Sequence, residues 1–114
     1  MQNIPRLIEV VFMDDALREL YEMGTTKDGQ YKKLCRDRRF IAAYVQVVDT
    51  MQSVDNVQEL KKFSFLHYEK LRYRPESSVR IITNRVERLL FTEHENGVEI
   101  RLIEINSTHY ENKR

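Results

Sequence analysis

The sequence contains few of the residues on which most metal, redox and phosphate-loop chemistry depends. Its 114 residues include one cysteine, three glycines and three histidines, the last at positions 67, 94 and 109. A single cysteine allows no internal disulfide, and Cys35, beside Leu34 in a helical pattern, is expected to be a buried structural thiol. No Gly-rich phosphate loop, no Cys/His metal spacing and no Gly-x-Ser-x-Gly turn occurs. We therefore expect a protein that uses no metal ion and no cofactor.

Long apolar runs are also missing. The longest uninterrupted one, Phe40–Val45, is far too short to cross a bilayer. The amino terminus lacks a basic region followed by an apolar stretch, so we expect a cytoplasmic protein that does not enter a membrane. The hydrophobic content of 41% and charged content of 32% are typical of a soluble globular protein. A chain of this length predicts a single domain over residues 1–114 with a core that needs no disulfide.

The net charge of +1 conceals an asymmetry along the chain. Residues 61–88 contain eight lysines and arginines but only three glutamates, so the rest of the chain is net negative. Such a concentration of positive charge is typical of a site for a polyanion, although a run of charge is more often a solvated face.

The second half of the sequence predicts a sheet. Asn96-Gly97 between two β-rich runs predicts a type I′ hairpin, because that turn requires positive φ at both central residues. Its two strands are predicted at Val86–His94 and Val98–Ile105. Further strands are predicted over residues 77–83 and at Phe65–Lys70.

A two-residue loop also predicts the pairing of the hairpin, with Phe91 facing Leu102 and Leu90 facing Ile103. Both faces then mix apolar and charged residues, which predicts one core face and one partly covered basic cleft. Arg80 and Arg88 are predicted to project into this cleft from adjacent strands, where two guanidinium groups can bracket one phosphate. One face is predicted to carry Leu89, Phe91, Ile100 and Leu102, and the other Arg88, Leu90, Arg101, Ile103 and Ile105.

The first half of the sequence predicts the packing for this sheet. A short strand is predicted at Leu7–Phe12, then a helix that begins at Asp14 or Asp15 and ends at Gly24. A second helix is predicted from Gln30 to Met51. This order predicts an α+β fold, in which two helices pack on one face of a mostly antiparallel sheet of four or five strands.

The side chains near the predicted strand ends are mainly Arg, Lys, His and Tyr. This set fits cleavage of a phosphodiester by positioning and charge stabilisation. In such a reaction a 2′-hydroxyl attacks its own phosphate, cations hold the non-bridging oxygens, and a general acid protonates the leaving 5′-oxygen.

Three ordered segments carry a family resemblance: Leu66-His67-Tyr68-Glu69-Lys70-Leu71, Ser78-Val79-Arg80-Ile81 and Glu87-Arg88-Leu89-Leu90-Phe91. Together they resemble the RelE/ParE toxin superfamily, most closely its HigB branch of plasmid maintenance killer proteins. The resemblance implies a RelE-like fold and a metal-independent, ribosome-dependent mRNA endoribonuclease that inhibits translation. It further implies a type II toxin-antitoxin system, with the ribosome, mRNA and a cognate HigA-like helix-turn-helix antitoxin as partners.

The resemblance also implies roles for individual residues. The implied catalytic residues are His67, Lys70, Arg80, Arg88, His109 and Tyr110. The concentration of positive charge predicts nucleic-acid contacts at Lys61, Lys62, Lys70, Arg72, Arg74 and Arg85.

Other interpretations of these residues stay open at this point. Arg80 is equally suited to pair with a carboxylate. The aliphatic stem of Arg88 is suited to pack against a residue of the neighbouring strand, and His67 is suited to cap a turn or to fill the core. Two other functions also fit the pattern: a gyrase-inhibiting ParE-like toxin, and a non-catalytic RNA- or protein-binding module. The gyrase-inhibiting class generally lacks terminal acid and base residues, so His109 and Tyr110 favour RNA cleavage.

Overall fold

The computed structural model describes residues 8–107 of the chain, and this part forms an α+β fold around a five-stranded mixed sheet. The strands are β1 (Glu9–Phe12), β2 (Glu69–Lys70), β3 (Ser77–Arg80), β4 (Arg88–His94) and β5 (Glu99–Asn106), and the α-helices are α1 (Asp15–Met23), α2 (Lys32–Cys35) and α3 (Arg38–Ser53). The strand order is β1-β5-β4-β3-β2. Only β1 and β5 run parallel, so the predicted fold class and the mostly antiparallel sheet are confirmed.

The caps of α1 match the sequence prediction. The Asp14 carboxylate accepts a hydrogen bond from the Ala16 amide at 2.8 Å, and Gly24 ends the helix with a φ of 75°. Both signals are local, since a short acidic side chain supplies the acceptor that a helix start lacks and glycine adopts the left-handed conformation without steric cost.

The single second helix predicted from Gln30 to Met51 was wrong. The segment forms a 3-10 turn at Gly29–Tyr31, then the short α2, and α3 starts anew at Arg38. Asp37 interrupts the helix because its backbone is extended, while its carboxylate accepts a hydrogen bond from the Phe40 amide at 3.0 Å. Asp37 therefore acts as a second N-cap inside the predicted helix.

The strand predicted at Phe65–Lys70 was also wrong in extent. Residues Ser64–Leu66 form a 3-10 turn, and His67 ends it in the left-handed conformation with a φ of 48°. The strand is reduced to the two residues of β2 because a left-handed residue cannot continue a ladder. The strand predicted over 77–83 likewise ends at Arg80.

The hairpin has the predicted turn but a bulge that changes one face. Asn96 and Gly97 both have positive φ, and Phe91 faces Leu102 as predicted. Between Leu90 and Phe91 the register shifts by one, so Leu90 faces Glu104 instead of Ile103. This bulge turns Ile105 into the core, where it is 3% exposed, although the sequence placed it on the other face.

The helices cover one face of the sheet. Leu17 and Leu20 of α1 and Tyr44 of α3 share one hydrophobic core with Leu89 and Phe91 of β4. The buried Tyr31 connects this layer to β5, because its hydroxyl oxygen accepts a hydrogen bond from the Ile105 amide. In the range 8–107 no helix is both long and apolar enough to cross a bilayer.

Candidate nucleic-acid interface

Arg80 and Arg88 occupy facing positions on β3 and β4. Alternation along the strands places both on the sheet face opposite the helices, together with Ser78, Leu90 and Glu104, and we call this surface the arginine face. The predicted adjacency of the two arginines is confirmed. Like charges directly across two strands destabilise a sheet, so this pair needs compensation by an anion.

The two guanidinium groups differ in their partners. Arg88 lies 3.3 Å from a carboxylate oxygen of Glu69. Arg80 instead donates from one nitrogen to the backbone carbonyls of Thr83 and Arg85, at 3.4 and 2.5 Å. Within residues 8–107 Arg80 has no ion pair, and a guanidinium carries five N–H donors. The partner-poor, half-buried Arg80 is therefore the strongest feature of an anion site on this face.

A loop partly covers the arginine face. Arg74 lies 3.1 Å from Glu76 and 3.9 Å from Glu104, and the Leu71 amide donates to the Glu76 carbonyl at 3.1 Å. Because Glu104 faces Leu90 across the strands, the loop lies over that residue, which is fully buried without belonging to the main core. The structure thus has the partly covered second face that the mixed strand pattern predicted.

Lys70 lies apart from the arginine pair. It faces Ser77 on β3, and the alternation of the strand puts it on the sheet face opposite to Arg80. The structure therefore does not bring Lys70 onto the face that carries Arg80 and Arg88. His67 is exposed, and its amide closes the preceding turn by donating to the Ser64 carbonyl at 3.2 Å.

Arg85 is held by structural partners. Its guanidinium lies 2.5 Å from Asp37, 2.9 Å from Glu87 and 5.2 Å from the centre of the Phe40 ring. The hydrogen bond from Arg85 holds the pKa of the Asp37 carboxyl below its usual range, and the same carboxylates raise the pKa of Arg85. This cluster ties the start of β4 to the start of α3, which favours a structural role over the predicted phosphate contact.

Lys61 and Lys62 are exposed at the end of the 3-10 segment Val57–Lys62, and Arg72 is exposed in the loop over the arginine face. The Lys61 ammonium lies 5.7 Å from the centre of the Tyr68 ring. The predicted nucleic-acid contacts thus lie on several surfaces of the fold and do not form one row. His109 and Tyr110 lie outside the described residues.

A polar cluster that the sequence analysis did not predict lies next to Lys61. The hydroxyls of Tyr68 and Ser77 both donate to one carboxylate oxygen of Glu93, the second at 2.7 Å. Burial, and next the hydrogen bond to Glu93, raise the pKa of Tyr68 to about 12. These three residues meet through the pairing of β2 with β3 and of β3 with β4, so no local pattern could have identified them.

No group of three His, Cys, Asp or Glu side chains that could hold a metal ion converges within residues 8–107. Comparisons with protein-family models and with curated protein sequences find no match to this chain.

Proposed function

We propose that this protein is the RelE-like, HigB-like toxin of a type II toxin-antitoxin system, a ribosome-dependent and metal-independent mRNA endoribonuclease acting in the cytoplasm. The observation that carries the proposal is the facing pair of Arg80 and Arg88 on a partly covered sheet face. The sequence resemblance supplies the reaction, and the arginine pair supplies a place where a phosphodiester fits.

In the proposed reaction the two guanidinium groups hold the non-bridging oxygens of one phosphate. A base removes the proton of the adjacent 2′-hydroxyl, whose oxygen bonds to phosphorus as the bond from phosphorus to the 5′-oxygen breaks. A general acid then protonates the 5′-oxygen, leaving a cyclic phosphate on one fragment and a 5′-hydroxyl on the other.

His109 and Tyr110 are the proposed acid and base. Asn106 faces Arg88 across the strands, and His109 follows Asn106 by three residues. Three residues span at most about 11 Å, and we therefore propose His109 as a group that acts on a phosphate held by the arginine pair. Lys70, on the other face of the sheet, and His67, exposed at the end of its turn, are better suited to contact the ribosome or flanking RNA.

The proposed partners are the translating ribosome with its mRNA and a HigA-like helix-turn-helix antitoxin. An acidic segment of such an antitoxin would compete with RNA for the same guanidinium groups. An open reading frame for a small helix-turn-helix protein beside the gene would support this assignment.

Induced expression tests the proposed activity. We expect arrested translation and mRNA fragments that primer extension maps on translated messages. Arg80→Ala and Arg88→Ala should each lower the cleavage rate by about 10²–10³-fold, the usual loss for one electrostatic donor. Arg18→Ala is the matched control, because Arg18 forms exposed ion pairs within α1.

Three outcomes would contradict this proposal. Intact message together with cleaved DNA would identify a gyrase-inhibiting toxin. Intact message and intact DNA, with RNA still bound, would identify a non-catalytic binding module. Full toxicity of both arginine variants, confirmed as folded by circular dichroism, would show that the arginine face is not the site.

The salt dependence of RNA binding separates phosphate contacts from structural cations. Loss of one phosphate contact lowers the slope of log K against log salt by roughly 0.7 for single strands. We expect that reduction for Lys62→Ala, whereas Arg85→Ala should mainly reduce stability because Asp37 and Glu87 lose their partner. A full slope reduction in Arg85→Ala with unchanged stability would reverse the structural assignment of Arg85.

A further inference from the structure

Phe65 is an exposed aromatic side chain. It is 42% exposed, whereas the next residue, Leu66, is fully buried. The ring packs edge to face on Phe63, with 6.0 Å between centroids and 77° between the planes. This contact covers only part of the Phe65 ring, so the rest of its flat apolar surface is exposed to solvent.

The backbone beneath this ring is fixed. The 3-10 turn Ser64–Leu66 is closed by the Leu66 amide, which donates to the Phe63 carbonyl at 2.9 Å. The Thr83 hydroxyl lies 3.5 Å from the carbonyl oxygen of Phe65. A ring anchored in this way loses little conformational freedom when a ligand stacks on it, which lowers the cost of binding.

Thr83 connects the backbone of Phe65 to Arg80. Its hydroxyl lies next to the Phe65 carbonyl oxygen, and its own carbonyl accepts a hydrogen bond from the Arg80 guanidinium at 3.4 Å. The Phe65 backbone and the Arg80 guanidinium therefore lie against the same turn between β3 and β4. A ligand with a phosphate on Arg80 would thus extend along the turn that also contacts Phe65.

The charge around the ring selects the kind of ligand. Lys61 and Lys62 are exposed four and three residues before Phe65, and no acidic residue occurs between Lys61 and Phe65. Exposed cations beside an aromatic face are the features with which proteins bind single-stranded nucleic acid, the cations contacting phosphates and the ring stacking on a base.

We propose that Phe65 is a base-stacking site for a nucleotide that flanks the phosphate on Arg80, within a single-stranded RNA. This inference rests on the proposed function and extends it, because it gives the arginine face a second element that recognises a base. It assigns to Phe65 a binding contact that is independent of the cleavage chemistry.

A tryptophan at position 65 provides a direct measurement, because the natural chain contains none. A short 2′-O-methyl RNA is the probe, since it lacks the free 2′-hydroxyl needed for cleavage. We expect quenching of tryptophan fluorescence in Phe65→Trp when this RNA binds, and no quenching in Met23→Trp, whose position on α1 is 62% exposed.

Affinity gives a second measurement. Loss of one base-aromatic stack corresponds to a reduction of about 5- to 150-fold, which we expect for Phe65→Leu. Inorganic polyphosphate has no bases, so its affinity should be unchanged by Phe65→Leu and reduced by Arg80→Ala. Circular dichroism shows whether Phe65→Leu is folded, and the quenching of Phe65→Trp decides the matter if it is not.

The outcomes distinguish this inference from the proposed function. If the RNA binds and Arg80→Ala weakens it, but tryptophan is not quenched and Phe65→Leu binds normally, stacking on Phe65 is refuted and the proposed function stands. If the wild-type protein binds no RNA, both are refuted. If the wild-type protein sediments as a dimer and Phe65→Leu as a monomer with normal RNA binding, the ring contacts a second copy of this chain instead.

Discussion

Removal of one buried hydroxyl tests how the bulged strand is held. Tyr31 is 1% exposed, and its hydroxyl oxygen accepts a hydrogen bond from the Ile105 amide at 3.1 Å. In Tyr31→Phe this amide loses that acceptor inside the core. A buried donor without a partner costs about 1–3 kcal/mol. At about 4 °C per kcal/mol for a chain of this size, Tm should fall by about 4–12 °C.

Tyr44→Phe is the matched control for this measurement. The Tyr44 hydroxyl donates to the Leu17 carbonyl at 2.8 Å, and that carbonyl lies within α1, where a helical amide also bonds to it. Its loss should therefore cost only about 0.5–1.5 kcal/mol. Urea titrations of both variants, with hydrogen exchange at the Ile105 amide, would measure the difference. Equal stabilities of the two variants and unchanged exchange at Ile105 would show that the Tyr31 hydroxyl does not stabilise β5.

The stability of Tyr31→Phe should also differ from that of the wild type in its pH dependence. Burial raises the pKa of Tyr31 from 10.0 to about 12, so its neutral form is favoured in the folded state. A raised pKa contributes stability that is complete below pH 10 and is lost as the pH rises toward about 12. The stability difference between wild type and Tyr31→Phe should therefore narrow over that interval.

Three further predictions concern other parts of the fold. Gly97→Ala should destabilise the protein by about 1–2 kcal/mol or more, because Gly97 has positive φ and a Cβ there would lie 2.6 Å from the side-chain oxygen of Asn56. Gly29→Ala, with open space around it, should be nearly neutral when both variants are measured by urea titration. The pKa of Asp37 is lowered in the folded state, so Asp37 adds stability above its ordinary pKa of 3.8, and this stability is lost as the pH falls further. Asp37→Asn should therefore lose less stability in acid than the wild type. An identical acid profile of the two proteins would contradict the ion pair. Glu69→Gln should increase RNA affinity because it removes the carboxylate that competes for Arg88, and an unchanged Kd would argue that Arg88 does not contact RNA.

The parts of the fold that the sequence predicted correctly depend on local signals. Asp14 and Gly24 define the ends of α1 through bonds within the helix itself, and Asn96-Gly97 defines its turn through its own φ angles. The adjacency of Arg80 and Arg88 followed from strand alternation on either side of one turn. Each of these features is decided by residues close together in sequence.

The features that the sequence did not predict depend on distant partners. The end of β5 beyond the bulge is held by the hydroxyl of Tyr31, which lies 74 residues from Ile105 in sequence. The break at Asp37 is reinforced by Arg85, 48 residues away. No pattern along one segment encodes such contacts, because they exist only when two elements have already packed together.

The same dependence limited the prediction of the site. The pairing of Arg85 with Asp37 and Glu87, and the placement of Lys70 on the other face from Arg80, both follow from tertiary contacts and strand register. The basic composition identified a charged region correctly, but it did not separate cations that face a ligand from cations that hold the fold.

The position of β5 has a consequence for the synthesis of the protein. Among the described strands β5 is the last to be made, yet it lies inside the sheet between β1 and β4, and it pairs Glu99 with Glu9. While the chain grows, β1 has no partner, and the helices have only part of the surface on which they pack. Contacts between such distant residues slow folding, and incomplete sheets leave apolar surface and strand edges exposed. A nascent chain that stops before residue 99 thus lacks an inner strand of its sheet, so the arginine face can be completed only after β5 has been synthesised.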